Sequence, residues 1–108
     1  MPAMVNKHSL ILHLLPGELV AVNQILKKHV PEYPIWVFGS RAGGTPRASS
    51  DLDLAIITKK PLSLSCMAEM REDFSQSDLP FKVDLVDWAT ITEEFRKIIS
   101  EKYVVLKT

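Results

Sequence analysis

The chain has 108 residues, 46% of them hydrophobic and 24% charged, and its 13 basic and 13 acidic side chains give a formal net charge of zero. These values are typical of one globular domain, and the balanced charge disfavours nucleic acid or an anionic membrane as a partner held by the overall field of the protein. The single cysteine, Cys66, excludes a disulfide framework or a cysteine-rich zinc site within the chain. The apolar run Leu10–Leu15 is too short to span a membrane and no cleavage pattern follows it, so we expect a cytoplasmic protein.

The first predicted element is a helix. We expect residues 1–15 to be an N-terminal segment that is partly disordered and residues 16–108 to form a single domain. The segment 16–30 begins with a proline, which suits a first helical turn, and Pro31 ends the helix. Its apolar residues recur at helical spacing, at Leu19, Val22, Leu26 and Val30.

Short apolar segments predict the strands. Pro34–Phe38 is a continuous apolar run and therefore predicts a central strand of a sheet. Asp51–Ile57 alternates aspartate with leucine, and Pro80–Trp88 alternates apolar with polar residues, so each predicts a further strand. The final run, Tyr103–Lys107, is too short for a firm assignment, and a short strand is the preferred interpretation.

Two more helices are predicted from the second half of the chain. The segment 62–74 carries an apolar stripe at helical spacing, formed by Leu64, Met67, Met70 and Phe74. Thr90, with Glu93 three residues later, has the signature of a capping box at the start of the last helix. The predicted buried stripe of that helix is Ile91, Phe95, Ile98 and Ile99.

The predicted order α-β-turn-β-α-β-α indicates an α/β (α+β) fold, a small mixed β-sheet packed with helices. The second and third strands are joined by a helix, so they should be parallel with a right-handed crossover. The first and second strands are joined by a turn of about a dozen residues, so they should be antiparallel.

Acidic side chains mark two of the predicted strands. Asp51 and Asp53 lie two residues apart and therefore share one face of their strand, and Asp84 lies on the matching face of the next strand. Three clustered carboxylates are unfavourable without a cation, and hard oxygen ligands of this kind suit magnesium. Two such ions would support an in-line displacement at phosphorus. Asp87 competes with Asp84 as the third carboxylate, but it has the opposite parity and is better placed to cap the next turn.

The turn between the first two strands has the residues of a phosphate site. Gly39 permits a sharp bend and a close backbone approach, and Ser40 offers a hydroxyl and a backbone N–H. Arg41 and Arg47 lie in the same loop, where each is as consistent with a phosphate ligand as with plain surface charge. A polyphosphate site beside a magnesium site is the minimum needed to use a nucleoside triphosphate.

These motifs resemble the signature of the nucleotidyltransferase superfamily that includes DNA polymerase beta. That signature is Gly-Ser, ten intervening residues, Asp-x-Asp, and a third acidic residue on a later strand. It stands here as Gly39-Ser40, Asp51-Leu52-Asp53 and then Asp84. The chain looks most similar to the minimal nucleotidyltransferases, single-domain proteins that are often paired with a small helical HEPN-domain protein.

The resemblance implies a polymerase-beta-like nucleotidyltransferase domain over residues 16–108 and a function as the antitoxin of a toxin–antitoxin pair. It implies that Asp51, Asp53 and Asp84 are the catalytic metal ligands, and that ATP is the nucleotide. The implied acceptor is a tyrosine hydroxyl of a HEPN-domain partner, likewise implied to be encoded by a neighbouring gene.

Two other functions stay open at this point. The chain could be a binding module that neutralises its partner by occlusion, with a vestigial site. It could also be a nucleotidyltransferase that modifies a small molecule or RNA, although the neutral charge weighs against RNA. We expect the open face above the aspartates to be closed by a second copy of the chain, by a different protein or by the acceptor, and the resemblance favours a HEPN-type partner.

Overall fold

The structure, a computed structural model, describes residues 12–44, 46–47 and 50–106. Within these residues the regular elements are α1 (Pro16–His29), β1 (Ile35–Phe38), β2 (Leu52–Ile56), α2 (Leu64–Ser75), β3 (Val83–Asp87), α3 (Glu93–Glu101) and β4 (Val104–Leu106). Two 3₁₀ turns, Gly39–Arg41 and Trp88–Thr90, follow β1 and β3. A helix of the length and apolarity needed to cross a membrane does not occur in this described part of the chain.

The four strands form one sheet with the order β3-β2-β1-β4. β1 pairs antiparallel with both β2 and β4, and β2 pairs parallel with β3. The predicted mixed sheet, the interior position of β1 and the direction of each predicted pair are therefore confirmed. The short strand preferred for Tyr103–Lys107 forms as β4, which pairs with the edge of β1 that β2 does not occupy.

One face of the sheet is covered by α1 and α2. The alternating leucines of β2, Leu52 and Leu54, are fully buried there against the apolar stripes of the two helices, which include Leu26 of α1 and Met70 of α2. Because side chains alternate along a strand, this packing directs Asp53 to the opposite face. Burial of Leu52 and Leu54 in the core therefore places the aspartates on the opposite face of the sheet.

The opposite face is only partly covered, by α3 and the turn before it. The ring of Phe95 in α3 meets Phe38 of β1 edge-on, with centroids 5.8 Å apart. Trp36 of β1 stacks on Tyr103 at 3.9 Å and meets Trp88 at 5.3 Å. These contacts cover the β1 side of the face, while Asp53 and Asp84 on its other side are only half-buried.

The start of α3 differs from the prediction. Thr92, not Thr90, is the N-cap, and its hydroxyl accepts a hydrogen bond from the N–H of Phe95 at 3.1 Å. Thr90 instead belongs to the preceding 3₁₀ turn, where its hydroxyl donates to the carbonyl of Asp87 at 2.8 Å. The capping-box prediction was wrong because the hydroxyl of Thr90, the residue that the pattern selected, is engaged in the 3₁₀ turn and does not cap the helix.

The predicted buried stripe of α3 is also narrower than expected. Ile99 is buried, whereas Ile98 is 62% exposed. Adjacent helical residues are separated by about 100° around the axis, so the burial of Ile99 leaves Ile98 turned toward solvent.

At the other end of the chain, residues 1–11 lie outside the described residues. Leu12 is 4% exposed and bridges Ala42, so the packed unit includes residues upstream of the expected boundary at residue 15.

Candidate active site

Two of the predicted site residues are direct neighbours on adjacent strands. Asp53 of β2 and Asp84 of β3 are partners in the parallel register, on the face that α3 leaves open. Strands in a sheet lie about 4.8 Å apart, so the two carboxylates project side by side. Asp51 precedes β2, has the same parity as Asp53 and is exposed. The structure therefore gathers the three predicted carboxylates at one end of β2 and β3.

The electrostatics of Asp53 reflect these neighbours. Its pKa is raised from the ordinary value of 3.8 to about 6, first because the carboxyl is partly buried and then because Asp84 and Asp51 are negatively charged. The protein thus holds negative charge at a position where charge is unfavourable. A cation bound beside Asp53 would instead favour the charged carboxylate and lower its pKa.

The Gly-Ser turn lies against the same carboxylate. Phe38, the last residue of β1, is the register partner of Asp53, and Gly39 follows it with a φ of +77°. A Cβ atom at Gly39 would lie 3.3 Å from Cγ of Asp53 and closer still to its Oδ2. Glycine is required here by both the backbone angle and the space. Ser40, the next residue, is exposed, so its hydroxyl is accessible beside the carboxylate of Asp53.

The residues present fit a hard divalent cation. Their donors are carboxylate oxygens, all at least partly accessible, and burial together with the charges of Asp84 and Asp51 raises the pKa of Asp53. Among the described residues, no three acidic, histidine or cysteine side chains form a ready-made metal cage. Magnesium does not need one, because it binds through one or two carboxylates and takes water and substrate phosphate oxygens as its other ligands.

Arg41 does not point into this site. The residue is 6% exposed, and its guanidinium donates to the backbone carbonyls of Ser50, His13 and Arg47. The placement does not support the expectation that Arg41 binds phosphate, because these donors are engaged within the protein. Its partners lie 9, 28 and 6 positions away along the chain, so no local sequence signal could have indicated them. Arg47 itself is exposed in the same loop.

Asp87, the competing third carboxylate, is a structural residue. It is 6% exposed and lies at the far end of β3 from the Gly-Ser turn. Its carboxylate accepts hydrogen bonds from the hydroxyl of Thr58 and from the N–H groups of Leu62 (2.7 Å) and Ala89 (3.2 Å). These bonds fix the loop after β2 and the turn after β3. The sequence pattern assigned a capping role to Asp87 correctly, but it did not reveal Thr58.

Comparisons with known proteins agree with this geometry. A sequence profile of the family "Polymerase beta, Nucleotidyltransferase" matches residues 21–108. The chain is 51% identical over 90 residues to a Haemophilus influenzae protein named probable protein adenylyltransferase MntA, and the alignment covers 83% of this chain and 79% of that protein.

Solved structures share the fold. One is a toxin–antitoxin crystal structure with AMP-PNP, with a TM-score of 0.70 at 24% identity over 82% of this chain and 72% of that one. Another, a mutant of the toxin–antitoxin MntA-HpeT, has a TM-score of 0.68 at 23% identity over 82% of this chain and 72% of that one. The family match and the curated relative show that the chain belongs to the polymerase beta nucleotidyltransferase family, as a member of its minimal nucleotidyltransferase group, and is a nucleotidyltransferase.

Proposed function

We propose that this protein transfers AMP from ATP to a tyrosine hydroxyl of a small helical HEPN-domain toxin, in a magnesium-dependent reaction that neutralises the toxin. The name of the Haemophilus influenzae relative supports adenylyl transfer to a protein, and the toxin–antitoxin neighbours support a toxin as the acceptor. The observation that carries the proposal is the pairing of Asp53 with Asp84 directly beside the Gly39 turn.

Each residue has a distinct proposed role. Asp51, Asp53 and Asp84 would hold magnesium, with two ions proposed, and the bound metal would neutralise charge that develops on the phosphates. Ser40 and the backbone at Gly39 would hold the outer phosphates of ATP. Asp84, which lies on the edge strand β3, would accept the proton of the attacking hydroxyl.

The proposed reaction is a single displacement. The acceptor oxygen bonds to the α-phosphorus, the bond from that phosphorus to the bridging oxygen of the β-phosphate breaks, and pyrophosphate leaves. The phosphate turn would hold the triphosphate and the carboxylates would hold the metal, so that the nucleotide lies in line for this attack. Such positioning supplies much of the catalysis in phosphoryl chemistry.

The open half of the site face supports a protein acceptor. α3 covers the β1 side of that face, and Asp53 and Asp84 are half-exposed beside it. A tyrosine on the surface of a partner could reach these carboxylates without entering a deep pocket. The setting proposed for this reaction is the cytoplasm, where ATP and magnesium are plentiful.

Labelled ATP distinguishes nucleotidyl transfer from other uses of the nucleotide. The full chain is incubated with its helical partner, magnesium and ATP labelled at either the α- or the γ-phosphate. We expect α-label on the partner, no γ-label, and loss of the α-label when the acceptor tyrosine is changed to phenylalanine. Asp78→Asn, a matched change of an exposed carboxylate outside the site, should transfer normally. Incorporation of γ-label, or of neither label with a functional partner, would contradict the proposal.

A further inference from the structure

Arg41 is a buried cation whose contacts converge from several segments. The side chain is 6% exposed, and a guanidinium keeps its charge at any physiological pH. A buried charge is costly unless its donors are satisfied. Here Nε donates to the carbonyl of Ser50 at 3.0 Å, Nη1 to that of His13 at 3.0 Å and Nη2 to that of Arg47 at 3.2 Å.

These contacts link segments that border the candidate site. Arg41 directly follows Ser40 of the phosphate turn, and Ser50 directly precedes Asp51. The guanidinium carbon also lies 4.1 Å from the ring centroid of Phe81, just before the strand that carries Asp84. The Arg41 side chain therefore connects the phosphate turn with Ser50, which precedes Asp51, and with Phe81, which precedes the strand of Asp84.

A local turn joins Arg47 and Ser50 in the described part of the loop between the phosphate turn and Asp51. Arg47 and Ser50 bond to each other through a carbonyl and N–H at 3.0 Å and through the Ser50 hydroxyl at 2.8 Å. That pair closes a local turn, and Arg41 connects this turn to the segment before α1, because its guanidinium donates to the carbonyls of Arg47 and Ser50 and also to that of His13.

The third carbonyl partner lies in the segment before α1. The N–H of His13 donates to the carbonyl of Arg41 at 2.8 Å, while the Arg41 guanidinium donates to the carbonyl of His13. Leu12 bridges Ala42 beside them. Residues 12–13 therefore lie against the phosphate turn, and their hydrogen bonds with Arg41 connect the turn to the segment before α1.

We propose that Arg41 is a positioning residue for nucleotidyl transfer, holding Asp51 and Ser40 at a fixed separation through its contacts to the carbonyls of His13, Arg47 and Ser50. This inference rests on the proposed function, in which Asp51 and Ser40 contact metal and phosphate. The planar fork reaches three carbonyls in different directions, and the single ammonium of lysine cannot reproduce that geometry. Displacing a substrate-holding group by about 1 Å can lower a rate about 100-fold.

The test compares Arg41→Lys and Arg41→Ala with Arg71→Lys and Arg71→Ala, matched changes at an exposed arginine of α2. In the full chain with its partner, both Arg41 variants should lose about 100-fold in kcat/KM, and the Arg71 variants should be unchanged. Millimolar guanidinium chloride should restore part of the activity of Arg41→Ala, and sodium chloride at the same concentration should not. A general loss of folding would not respond to guanidinium in this way.

Hydrogen exchange supplies a readout that does not depend on transfer. The amide of Ser50 should exchange faster in Arg41→Lys, and that of Leu54 in the buried strand should not. If the wild-type chain fails to modify its partner, the proposed function fails, and exchange at Ser50 together with binding of magnesium-ATP decides the role of Arg41. Transfer by Arg41→Lys within about twofold of the wild-type rate, or exchange at Ser50 as slow as in the wild type, would overturn the inference. If Arg41→Ala does not fold, Arg41→Lys alone decides the outcome.

Discussion

Asp53 and Asp84 stand as register partners on the parallel strands β2 and β3, so two carboxylates lie side by side on one face of the sheet. This arrangement works against the stability of the fold. Burial and the charges of Asp84 and Asp51 raise the pKa of Asp53 to about 6. Groups that are unfavourable for folding and still arranged with this regularity are typical of functional sites.

The raised pKa of Asp53 predicts how stability depends on pH in the absence of divalent metal. Between about pH 4 and pH 6 the folded protein holds a proton on Asp53 that the unfolded chain has released, because the pKa rises from 3.8 to about 6 on folding. Stability should therefore fall as pH rises through this window. Asp53→Asn should lack this fall and melt at a higher temperature than the wild type at pH 8 in EDTA. Urea denaturation across the pH range measures the effect. A free energy of unfolding that rises from pH 4 to pH 6 by the same amount in the wild type and in Asp53→Asn would contradict it.

Asp84 and Asp87 should respond to the same substitution in opposite ways. Asp84→Asn removes a half-exposed carboxylate of the site, so transfer should be lost while stability is kept. Asp87→Asn replaces an acceptor of three hydrogen bonds in a buried network, which should cost about 1–3 kcal/mol of stability. Its transfer rate per folded molecule should stay near that of the wild type. Melting temperature and label transfer are measured on each preparation, and a reversal of the two patterns would make Asp87 the functional carboxylate.

Gly39→Ala tests the contact between the phosphate turn and Asp53. The φ of +77° and the short approach to the Asp53 carboxyl predict a loss of about 1–3 kcal/mol together with loss of transfer. Gly17→Ala is the control, because a Cβ there meets nothing within 4 Å and the residue lies in the first turn of α1. That change should be neutral or stabilise by up to about 1 kcal/mol. Equal behaviour of the two variants in thermal melts and transfer would remove the special role of Gly39.

Metal and nucleotide should stabilise the protein together. If the carboxylates bind magnesium with the help of a triphosphate, magnesium plus a non-hydrolysable ATP analogue should raise the melting temperature by several degrees, since a ligand at 100 times its Kd adds about 2.7 kcal/mol. Asp53→Asn should show no such rise, and Asp78→Asn should show the full rise. Calorimetry or dye-monitored melting gives the result, and an equal shift in Asp53→Asn would place the nucleotide elsewhere.

Most of the fold follows from periodicity in the sequence. The alternation in β2 and the helical stripe of α1 predict which side chains face the core, as Leu52 and Leu26 do. The spacing from Gly39 to Asp53 predicts the site because it specifies a turn between antiparallel strands that returns the second strand beside the first. These features are local, so the sequence carries them directly.

The features that sequence reasoning missed depend on distant contacts. Thr90, with Glu93 three residues later, fits the capping-box pattern, but in the fold its hydroxyl donates to the carbonyl of Asp87 in the preceding turn. Ile98 has the spacing of a buried residue, but in the fold Ile99 is buried and Ile98 is exposed. Arg41 resembles a phosphate ligand until the fold brings three carbonyls around it. In each case the competing partner is set by tertiary packing.

Intact-mass spectrometry of the helical partner tests the central claim most directly. The partner is incubated with ATP, magnesium and either the wild-type chain, Asp53→Asn or Asp78→Asn, and its mass is compared with that of the untreated protein. We expect the wild type and Asp78→Asn to add the mass of one or more adenylyl groups, and Asp53→Asn to add none and to leave the partner active. Full neutralisation of the partner by Asp53→Asn with no change in mass would contradict nucleotidyl transfer and show that occlusion alone is sufficient.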